Sequence, residues 1–311
     1  MRRTATHLLL TSCLAVPGLA RAQRILAPLQ PTPDCESCAT WNTPQAPFVL
    51  HGNSWYVGTH GLSAILITSA EGHVLIDGGL RESAALVAAS IRSLGFRVED
   101  VRLILTSHVH HDHAGGVGLL QRLSGARVAA LPPAAAVLRT GRPSRDDPQF
   151  GLLPTMDPVS HVVEARDGEV IRVGPIAITA HATPGHTRGS TSWTWISCDS
   201  AGRCRAMAYA DSQSPISADD FLYSRSRAWP TAVADFRAGH AVVEQLPCDI
   251  LVTPHPEASD LWTRLEARGH GNADALVDPS ACRRYAASAR QRLATRLATE
   301  DTVAATFRSR E

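Results

Sequence analysis

A cluster of four histidines and one aspartate between residues 108 and 113 constrains this chain more than any other feature of its sequence. Metal-binding histidines often occur in such clusters, because one cation needs several lone pairs from neighbouring atoms. Residues 101–106, directly before the cluster, are apolar and rich in β-branched side chains, which predicts a buried strand. We therefore predict a metal-binding loop at the carboxyl end of a strand, where α/β folds usually place their chemistry.

The spacing within the cluster predicts two adjacent pairs of ligands. His108 and His110 are two residues apart, so they point to the same side of an extended segment. Asp112 and His113 follow after the chain must turn, and they can reach a second, neighbouring position. A catalytic zinc ion takes about three protein ligands plus water, so each pair needs a further ligand from a distant part of the chain.

Two later histidines are candidates for these further ligands. His186 follows a Pro-Gly turn after the strand-like residues 176–180. His255 stands between two prolines after another apolar segment, and prolines fix the backbone and disfavour helix. His111 lies inside the cluster, but we expect it to point away from its neighbours there.

These motifs, in this order, resemble the signature of the metallo-β-lactamase superfamily: His-x-His-x-Asp-His on a loop, a distant Pro-Gly-His, and a late histidine after a strand. Three features resemble its third subclass: an all-histidine first site, no cysteine ligand, and a Thr-Pro-His-Pro stretch at the last histidine. The resemblance implies two Zn²⁺ ions per chain. It assigns the first ion to His108, His110 and His186, and the second to Asp112, His113 and His255.

The resemblance also implies a fold and a reaction. Periodicity alone predicts an α/β protein, whereas the family adds a four-layer αβ/βα sandwich of two mixed sheets flanked by helices. The implied reaction is hydrolysis of the β-lactam amide bond of penicillins, cephalosporins and carbapenems by a metal-bound hydroxide, which confers antibiotic resistance. Asp112 and His186 are assigned to catalysis. The chain contains no lysine and therefore no Ser-x-x-Lys nucleophile motif.

Two other functions remain open at this point. The first is another exported metallo-hydrolase of the same fold, a lactonase or a thioester hydrolase. The second is an exported zinc-binding protein without activity. A complete set of six ligands counts against the second alternative, and export counts against an intracellular thioester hydrolase.

The segment 209–215 carries the remaining polar residues of interest. In much of the superfamily an aspartate on this loop bridges both metals, whereas the third subclass carries serines there. Asp211 and Ser212 are adjacent here, so one residue of register decides which side chain faces the site. We expect Ser212 to face it and Ser214 to help hold the substrate carboxylate. The β-lactamase interpretation would weaken if Asp211 reached the metals.

Two further segments have both a functional and a structural interpretation. Asp77 ends a strand-rich region; in the family an aspartate here braces the metal loop, although Asp-Gly is also a common turn. Residues 140–161 are rich in Pro, Arg, Asp and Gly. This segment forms either one wall of the substrate cleft, with Phe150 and Leu152, or a surface excursion.

The amino terminus predicts export. Residues 1–22 combine Arg2-Arg3, an apolar run and an Ala-Arg-Ala site, which is typical of a cleaved secretory signal. Cleavage after Ala22 leaves residues 23–311 as a single periplasmic domain. A lipoprotein box ending at Cys13 is the alternative, but the apolar run continues past this cysteine.

The expected partner is a small-molecule substrate. A net charge of +1 argues against nucleic acid, and no other segment approaches the length of a membrane helix. We expect a monomer without stable membrane association.

Six cysteines remain after Cys13 is removed, and an even count in an exported chain indicates disulfides. Cys198 and Cys204 flank a plausible hairpin turn, and so we expect them to pair. A bond between Cys248 and Cys282 would tie the last helix to the strand before His255, and the family resemblance supports it. The Cys35-x-x-Cys38 motif has three interpretations: a local disulfide, which we favour, a redox motif, or half a zinc site.

Overall fold

The structure, a computed structural model, describes residues 35–308. The predicted signal segment, its cleavage after Ala22 and the alternative lipoprotein box at Cys13 lie outside the described residues. None of the helices within the described residues is long and apolar enough to cross a membrane.

The first half of the described chain forms a seven-stranded mixed sheet, in which spatial order follows chain order. Strands β1 to β4 pair antiparallel, and β4 to β7 pair parallel, which requires helical crossovers between them. The strands are β1 (Phe48–His51), β2 (Ser54–Tyr56), β3 (Ile65–Ile67), β4 (His73–Ile76), β5 (Val101–Leu105), β6 (Arg127–Ala130) and β7 (Val162–Glu164).

The second half forms a five-stranded sheet in the order β12-β11-β10-β9-β8. Strands β8 to β11 form an antiparallel meander, and β12 pairs parallel to β11. Strands β9, β11 and β12 therefore run in the same direction and end at the same edge of the sheet. The strands are β8 (Val170–Val173), β9 (Ile176–Ala182), β10 (Thr191–Cys198), β11 (Cys204–Tyr209) and β12 (Ile250–Val252).

Eight α-helices accompany the two sheets in the described residues. They are α1 (Cys38–Trp41), α2 (Ser83–Ser93), α3 (His111–Ala114), α4 (Val117–Ser124), α5 (Pro132–Thr140), α6 (Ala232–Gln245), α7 (Leu261–Gly269) and α8 (Ala281–Arg308). Helices α2, α4 and α5 bury Val87, Leu120 and Val137 in one cluster with the outer face of the first sheet. Helices α6 and α8 bury Val243 and Ala286 against the outer face of the second.

The inner faces of the two sheets pack against each other. Ile65 and Leu103 of the first sheet share a fully buried cluster with Ile178, Trp193 and Met207 of the second. Removing this much apolar surface from water is the dominant stabilising contribution to such a sandwich. The order helices, sheet, sheet, helices is the predicted four-layer αβ/βα sandwich, and that prediction is confirmed.

The described residues contain three disulfides, and these join the pairs that were favoured from the sequence. Cys35 is bonded to Cys38, Cys198 to Cys204 across the β10–β11 turn, and Cys248 to Cys282. The last bond closes a 34-residue separation and anchors the start of α8 beside β12. A cross-link of this kind stabilises mainly by restricting the unfolded chain.

Candidate metal centre

The six predicted ligands lie at the edge where strands of both sheets end. His108 and His110 follow β5, and Asp112 and His113 lie on the short helix α3. His186 follows β9, and His255 follows β12. Backbone hydrogen bonds join the two sheets at this edge: Thr191 N donates to Ser107 O at 2.8 Å, and Ser63 N donates to Pro254 O at 2.8 Å. The structure therefore brings together ligands that are separated by up to 147 residues in sequence (255 minus 108).

Three buried imidazoles form the first group of candidate ligands. The ring centroids of His108, His110 and His186 lie 4.7, 4.7 and 4.8 Å apart. One ligand atom from each of them lies within 4.8 Å of the others, close enough to surround one cation. All three side chains are almost completely removed from solvent.

In each of these three imidazoles, one of the two ring nitrogens contacts an oxygen atom. Such outer contacts fix the tautomer and the orientation of a metal-binding histidine. His108 Nδ1 contacts Asp211 Oδ1 at 2.7 Å, His110 Nε2 contacts Asp147 Oδ2 at 3.1 Å, and His186 Nδ1 contacts the backbone oxygen of Ser214 at 2.8 Å.

The donor set fits a metal ion. The carbonyl oxygen of Ser214 can only accept, so His186 Nδ1 carries the proton and Nε2 keeps its lone pair. The carboxylates of Asp211 and Asp147 can accept hydrogen bonds from His108 Nδ1 and His110 Nε2 in the same way. His108 Nε2 is buried and has no hydrogen-bond partner among the described residues. A buried nitrogen lone pair without a partner is costly in a protein interior, and a cation at this position would satisfy it.

Asp112, His113 and His255 form the second group. Asp112 Oδ2 lies 3.0 Å from His113 Nε2 and 3.3 Å from His255 Nε2, and the two nitrogens are 3.2 Å apart. His255 is one-third exposed, whereas Asp112 and His113 are buried. His108 and His113 have ring centroids 4.4 Å apart, so the two groups are neighbours. His111 belongs to neither group, and its Nε2 contacts the sulfur of Cys38 instead.

Burial and charge set the protonation of these groups. Burial, together with the neighbouring His108 and His110, lowers the pKa of His186 to about 3. Burial and the adjacent imidazoles also hold the pKa of His108 well below its usual value. Burial opposes ionisation of Asp112, but the charge and hydrogen bond of His113 help to outweigh it, so the pKa of Asp112 lies well below its usual range. Neutral His108 and His186 and an ionised Asp112 are the forms of these residues that bind metal.

A glycine allows the turn that presents His186. Gly185 has φ +151°, and a Cβ at this position would lie 2.2 Å from the ring of Phe236. Only glycine therefore fits between Pro184 and His186 without displacing helix α6, which carries Phe236.

Asp77 braces the loop that carries the cluster. It lies in the left-handed region at φ +60°. Its carboxylate accepts hydrogen bonds from Ser107 N, Ser107 Oγ and Tyr209 OH, each at 2.7 Å. Burial raises the pKa of Asp77 to about 7, although these three donors favour the ionised form. The bracing contact that the family resemblance implied is therefore present in the structure.

We expect Asp77→Ala to lower the free energy of unfolding by about 3 kcal/mol or more, because it removes the acceptor of three buried hydrogen bonds at about 1–3 kcal/mol each. Asp77→Asn keeps one acceptor oxygen and is expected to lose less. Urea unfolding of both variants measures the difference. A loss below about 1 kcal/mol for the alanine variant would mean that the three hydrogen bonds contribute little to stability.

The loop after β11 carries Asp211 and Ser214, which both contact histidines of the first group. Asp211 is fully buried and supports His108 from behind, through the nitrogen opposite the one that faces the candidate ligands. Ser212 is also buried, with 7% of its surface exposed, and Ser214 is half-buried. The backbone oxygen of Ser214 orients His186, a role that the sequence analysis did not consider for this residue.

Asp147 is the residue of the site that the sequence analysis missed. It is buried, and both of its carboxylate oxygens lie within 3.2 Å of His110 Nε2. Burial lowers the pKa of His110, but the Asp147 carboxylate outweighs it and the net shift is upward. The neighbouring Gln149 Nε2 lies 3.4 Å from His110 Nδ1. The only sequence feature that pointed to a role for Asp147 was the polar character of residues 140–161.

The part of this segment that follows α5, the 141–161 loop, is anchored at both its base and its middle. Met156 N donates to Gly141 O at 2.8 Å and closes the base. Ala218 N donates to Pro148 O at 2.8 Å and joins the loop to the segment that follows Ser212 and Ser214. The two segments therefore meet beside the first group of histidines.

Comparison with known proteins agrees with this geometry. Residues 57–198 match the family model described as the metallo-beta-lactamase superfamily. The structure is similar to MEM-A1, a subclass B3 metallo-beta-lactamase from a soil metagenome library, with 51% identity, a TM-score of 0.83 and coverage of 84% of this chain and 99% of that one. It is also similar to the Rm3 metallo-beta-lactamase, with 56% identity, a TM-score of 0.85 and coverage of 86% and 100%.

Two further comparisons define the range of the similarity. MIM-1 from Novosphingobium pentaromativorans is 49% identical, with a TM-score of 0.78 and coverage of 85% of this chain and 94% of that one. A hydroxyacylglutathione hydrolase of Pseudomonas paraeruginosa is 36% identical over 90 residues, 29% of this chain. The match spans only about a quarter of the length of that curated relative, 26%. The fold, the clustered ligands and these full-length similarities show that the chain belongs to the metallo-β-lactamase superfamily and, within it, to the subclass B3 metallo-β-lactamases.

Proposed function

We propose that this protein hydrolyses the amide bond of β-lactam antibiotics and does so with two Zn²⁺ ions. The observation that carries the proposal is the convergence of two adjacent three-residue ligand groups in a chain of subclass B3. The first ion would be bound by His108 Nε2, His110 Nδ1 and His186 Nε2. The second ion would be held by Asp112, His113 and His255.

Several residues of the chain orient the candidate ligands before a metal binds. When bound, the zinc ions supply an activated water and positive charge at neutral pH. Asp211, Asp147 and the Ser214 carbonyl fix the three histidines of the first group, so little reorganisation is needed for binding. Asp112, a member of the second group, remains ionised and also lies within 4.8 Å of His108 of the first group, where it can orient the attacking water. We assign catalysis to Asp112 and to His186 on this basis.

Ser212 and Ser214 are the proposed contacts for the substrate carboxylate. Both lie on the segment that orients His186 and meets the 141–161 loop. The chain has no lysine to fill this role. Phe150 and Ile216, on the two neighbouring segments, are 45% and 56% exposed and would offer apolar surface to the rest of the substrate.

We expect Ser212→Ala to raise KM for a cephalosporin more than it lowers kcat, because the lost hydrogen bond contributes mostly to ground-state binding. The expected rise in KM is about 5–30-fold, the equivalent of about 1–2 kcal/mol. Ser93→Ala, an exposed serine on α2, serves as the control. An unchanged KM in the Ser212 variant would remove this residue from the substrate site.

The test of the proposed function compares substrate classes. Purified protein loaded with zinc is assayed against a chromogenic cephalosporin, a carbapenem, a lactone and a glutathione thioester. We expect turnover of both β-lactams and little turnover of the other two substrates. Turnover of the thioester or lactone without β-lactam hydrolysis would replace the proposal with the second candidate, another hydrolase of the same fold. The observation behind this candidate is the partial similarity to a hydroxyacylglutathione hydrolase.

We also propose that the protein is exported to the periplasm and acts there as a monomer on small-molecule substrates, without nucleic acid or stable membrane association. The support for export is the signal-like sequence of residues 1–22 and the three disulfides of the described chain. Size-exclusion chromatography with light scattering tests the monomer, and sequencing the amino terminus of the periplasmic protein tests cleavage after Ala22.

A further inference from the structure

A third group of metal-ligating atoms lies outside the two ligand groups of the candidate centre. The sulfur atoms of Cys35 and Cys38 and one nitrogen of His111 all lie within 4.8 Å of one another. Cys38 Sγ is 3.9 Å from His111 Nε2. The three residues come from two parts of the chain that are 73 residues apart, so the fold rather than local sequence assembles the group.

The surroundings of His111 are unusual for a histidine without a function. Its Nδ1 is buried and has no hydrogen-bond partner among the described residues. Its Nε2 faces a sulfur atom, which is a weak hydrogen-bond acceptor. Most buried polar atoms have a good partner, so this imidazole gains little from its position while the two cysteines remain bonded.

The geometry of the two cysteines suits a metal once they are reduced. Their Cα atoms are 5.4 Å apart, and Cys-x-x-Cys is a common spacing for zinc ligands. A Zn–S distance of about 2.3 Å would require the sulfur atoms to separate by rotation of the side chains, with little movement of the backbone. Cys38 is buried and Cys35 is half-buried, so the site is shielded but accessible from one side.

We propose that reduction of the Cys35–Cys38 disulfide creates a Cys₂His site for a thiophilic divalent cation such as Zn²⁺ or Cd²⁺. In the reducing step a dithiol transfers two electrons and two protons to the disulfide and becomes a disulfide itself. The metal then displaces one proton from each cysteine thiol and binds two thiolates and His111 Nε2. Water fills the fourth position, as is usual where a protein supplies three ligands.

Occupation of this site would link two segments that border the candidate centre. His111 begins α3, the helix that carries Asp112 and His113. Cys38 begins α1, whose Trp41 ring lies 5.2 Å from the ring of His255. A metal ion at the Cys₂His site therefore ties together two elements that contact the second ligand group. Binding to the folded state should also stabilise the reduced protein.

The test uses the full-length mature protein with Cys198→Ser and Cys204→Ser, because this exposed pair would also be reduced. The protein is loaded with zinc, reduced with dithiothreitol, freed of reductant and titrated with Cd²⁺. Only thiolate ligation gives the ultraviolet sulfur-to-metal charge-transfer absorption, so the histidine and aspartate sites are silent in this assay. No β-lactam is used, and the result is therefore independent of the proposed function.

We expect about one equivalent of thiolate-bound Cd²⁺ in the reduced protein and none in the oxidised protein. Adding His111→Ala should weaken binding by about 10-fold or more, a typical effect of losing a ligand or its support. Adding Cys35→Ser and Cys38→Ser together should abolish the absorption. Any one of three results overturns the proposal: no absorption after reduction, the same Cd²⁺ affinity in the His111→Ala variant, or absorption that persists when both cysteines are replaced.

Discussion

Replacement of Asp112 or His255 by alanine is expected to leave about one zinc ion per chain and to lower kcat/KM for β-lactams by about 10³-fold. Each change removes one of three atoms that lie within 3.3 Å of one another in the second group. Two protein ligands are fewer than a catalytic zinc site normally has. The charge that a metal ion provides in the transition state is worth several kcal/mol, and each 1.36 kcal/mol is about tenfold in rate.

Elemental analysis after dialysis measures the loss of zinc, and steady-state kinetics measures the loss of activity. His270→Ala is a matched control, because His270 is an exposed histidine that follows α7, and its ring pairs with Glu266 at 3.8 Å. We expect this control to keep two zinc ions and full activity. If both the Asp112 and the His255 variants also retained two zinc ions, the assignment of the second group would be wrong.

The second large effect is expected from Asp147→Ala, which should weaken zinc binding at the first group by about 10–100-fold. Asp147 is buried and holds His110 through Nε2, so its loss frees the ring to rotate and leaves a buried N–H group without an acceptor. Asp147→Asn still offers an oxygen to His110 and should lose less. Competition with a chromophoric chelator measures the affinity of each variant.

Asp146→Ala is the control for this change. Asp146 is the neighbouring residue in the 141–161 loop, but its carboxylate pairs with Arg188 at 2.9 Å instead of with a candidate ligand. We expect its zinc affinity to equal that of the unmodified protein. Equal affinities for the Asp147 and Asp146 variants would show that Asp147 does not position His110 for metal binding.

Much of this architecture could be predicted because its signals are local. The apolar segment before the cluster and the Pro-Gly and Pro-His-Pro turns each mark the end of a strand. In the structure these strands, β5, β9 and β12, end at one edge, and so the predicted ligands meet. The four-layer arrangement required the family resemblance, because periodicity alone does not specify how two sheets pack together.

The contacts behind the ligands could not be predicted, since they join residues that are far apart in sequence. Asp147 meets His110 across 37 residues and Asp211 meets His108 across 103. An irregular loop has no period from which the direction of a side chain can be read, so Asp147 had no distinguishing pattern. At Asp211 and Ser212 the alternation of side chains in an extended segment left two registers open. The structure turns Asp211 toward the rear of His108.

Zinc-dependent β-lactam hydrolysis is best tested by titrating the chelated protein with zinc and measuring hydrolysis of a carbapenem at each step. We predict no turnover without zinc, and turnover that rises until two equivalents are bound per chain and then stays constant. Chelation should abolish the activity again, and added zinc should restore it. Turnover that persists after chelation, or two bound zinc ions without turnover of any β-lactam, would rule out zinc-dependent β-lactam hydrolysis by this protein.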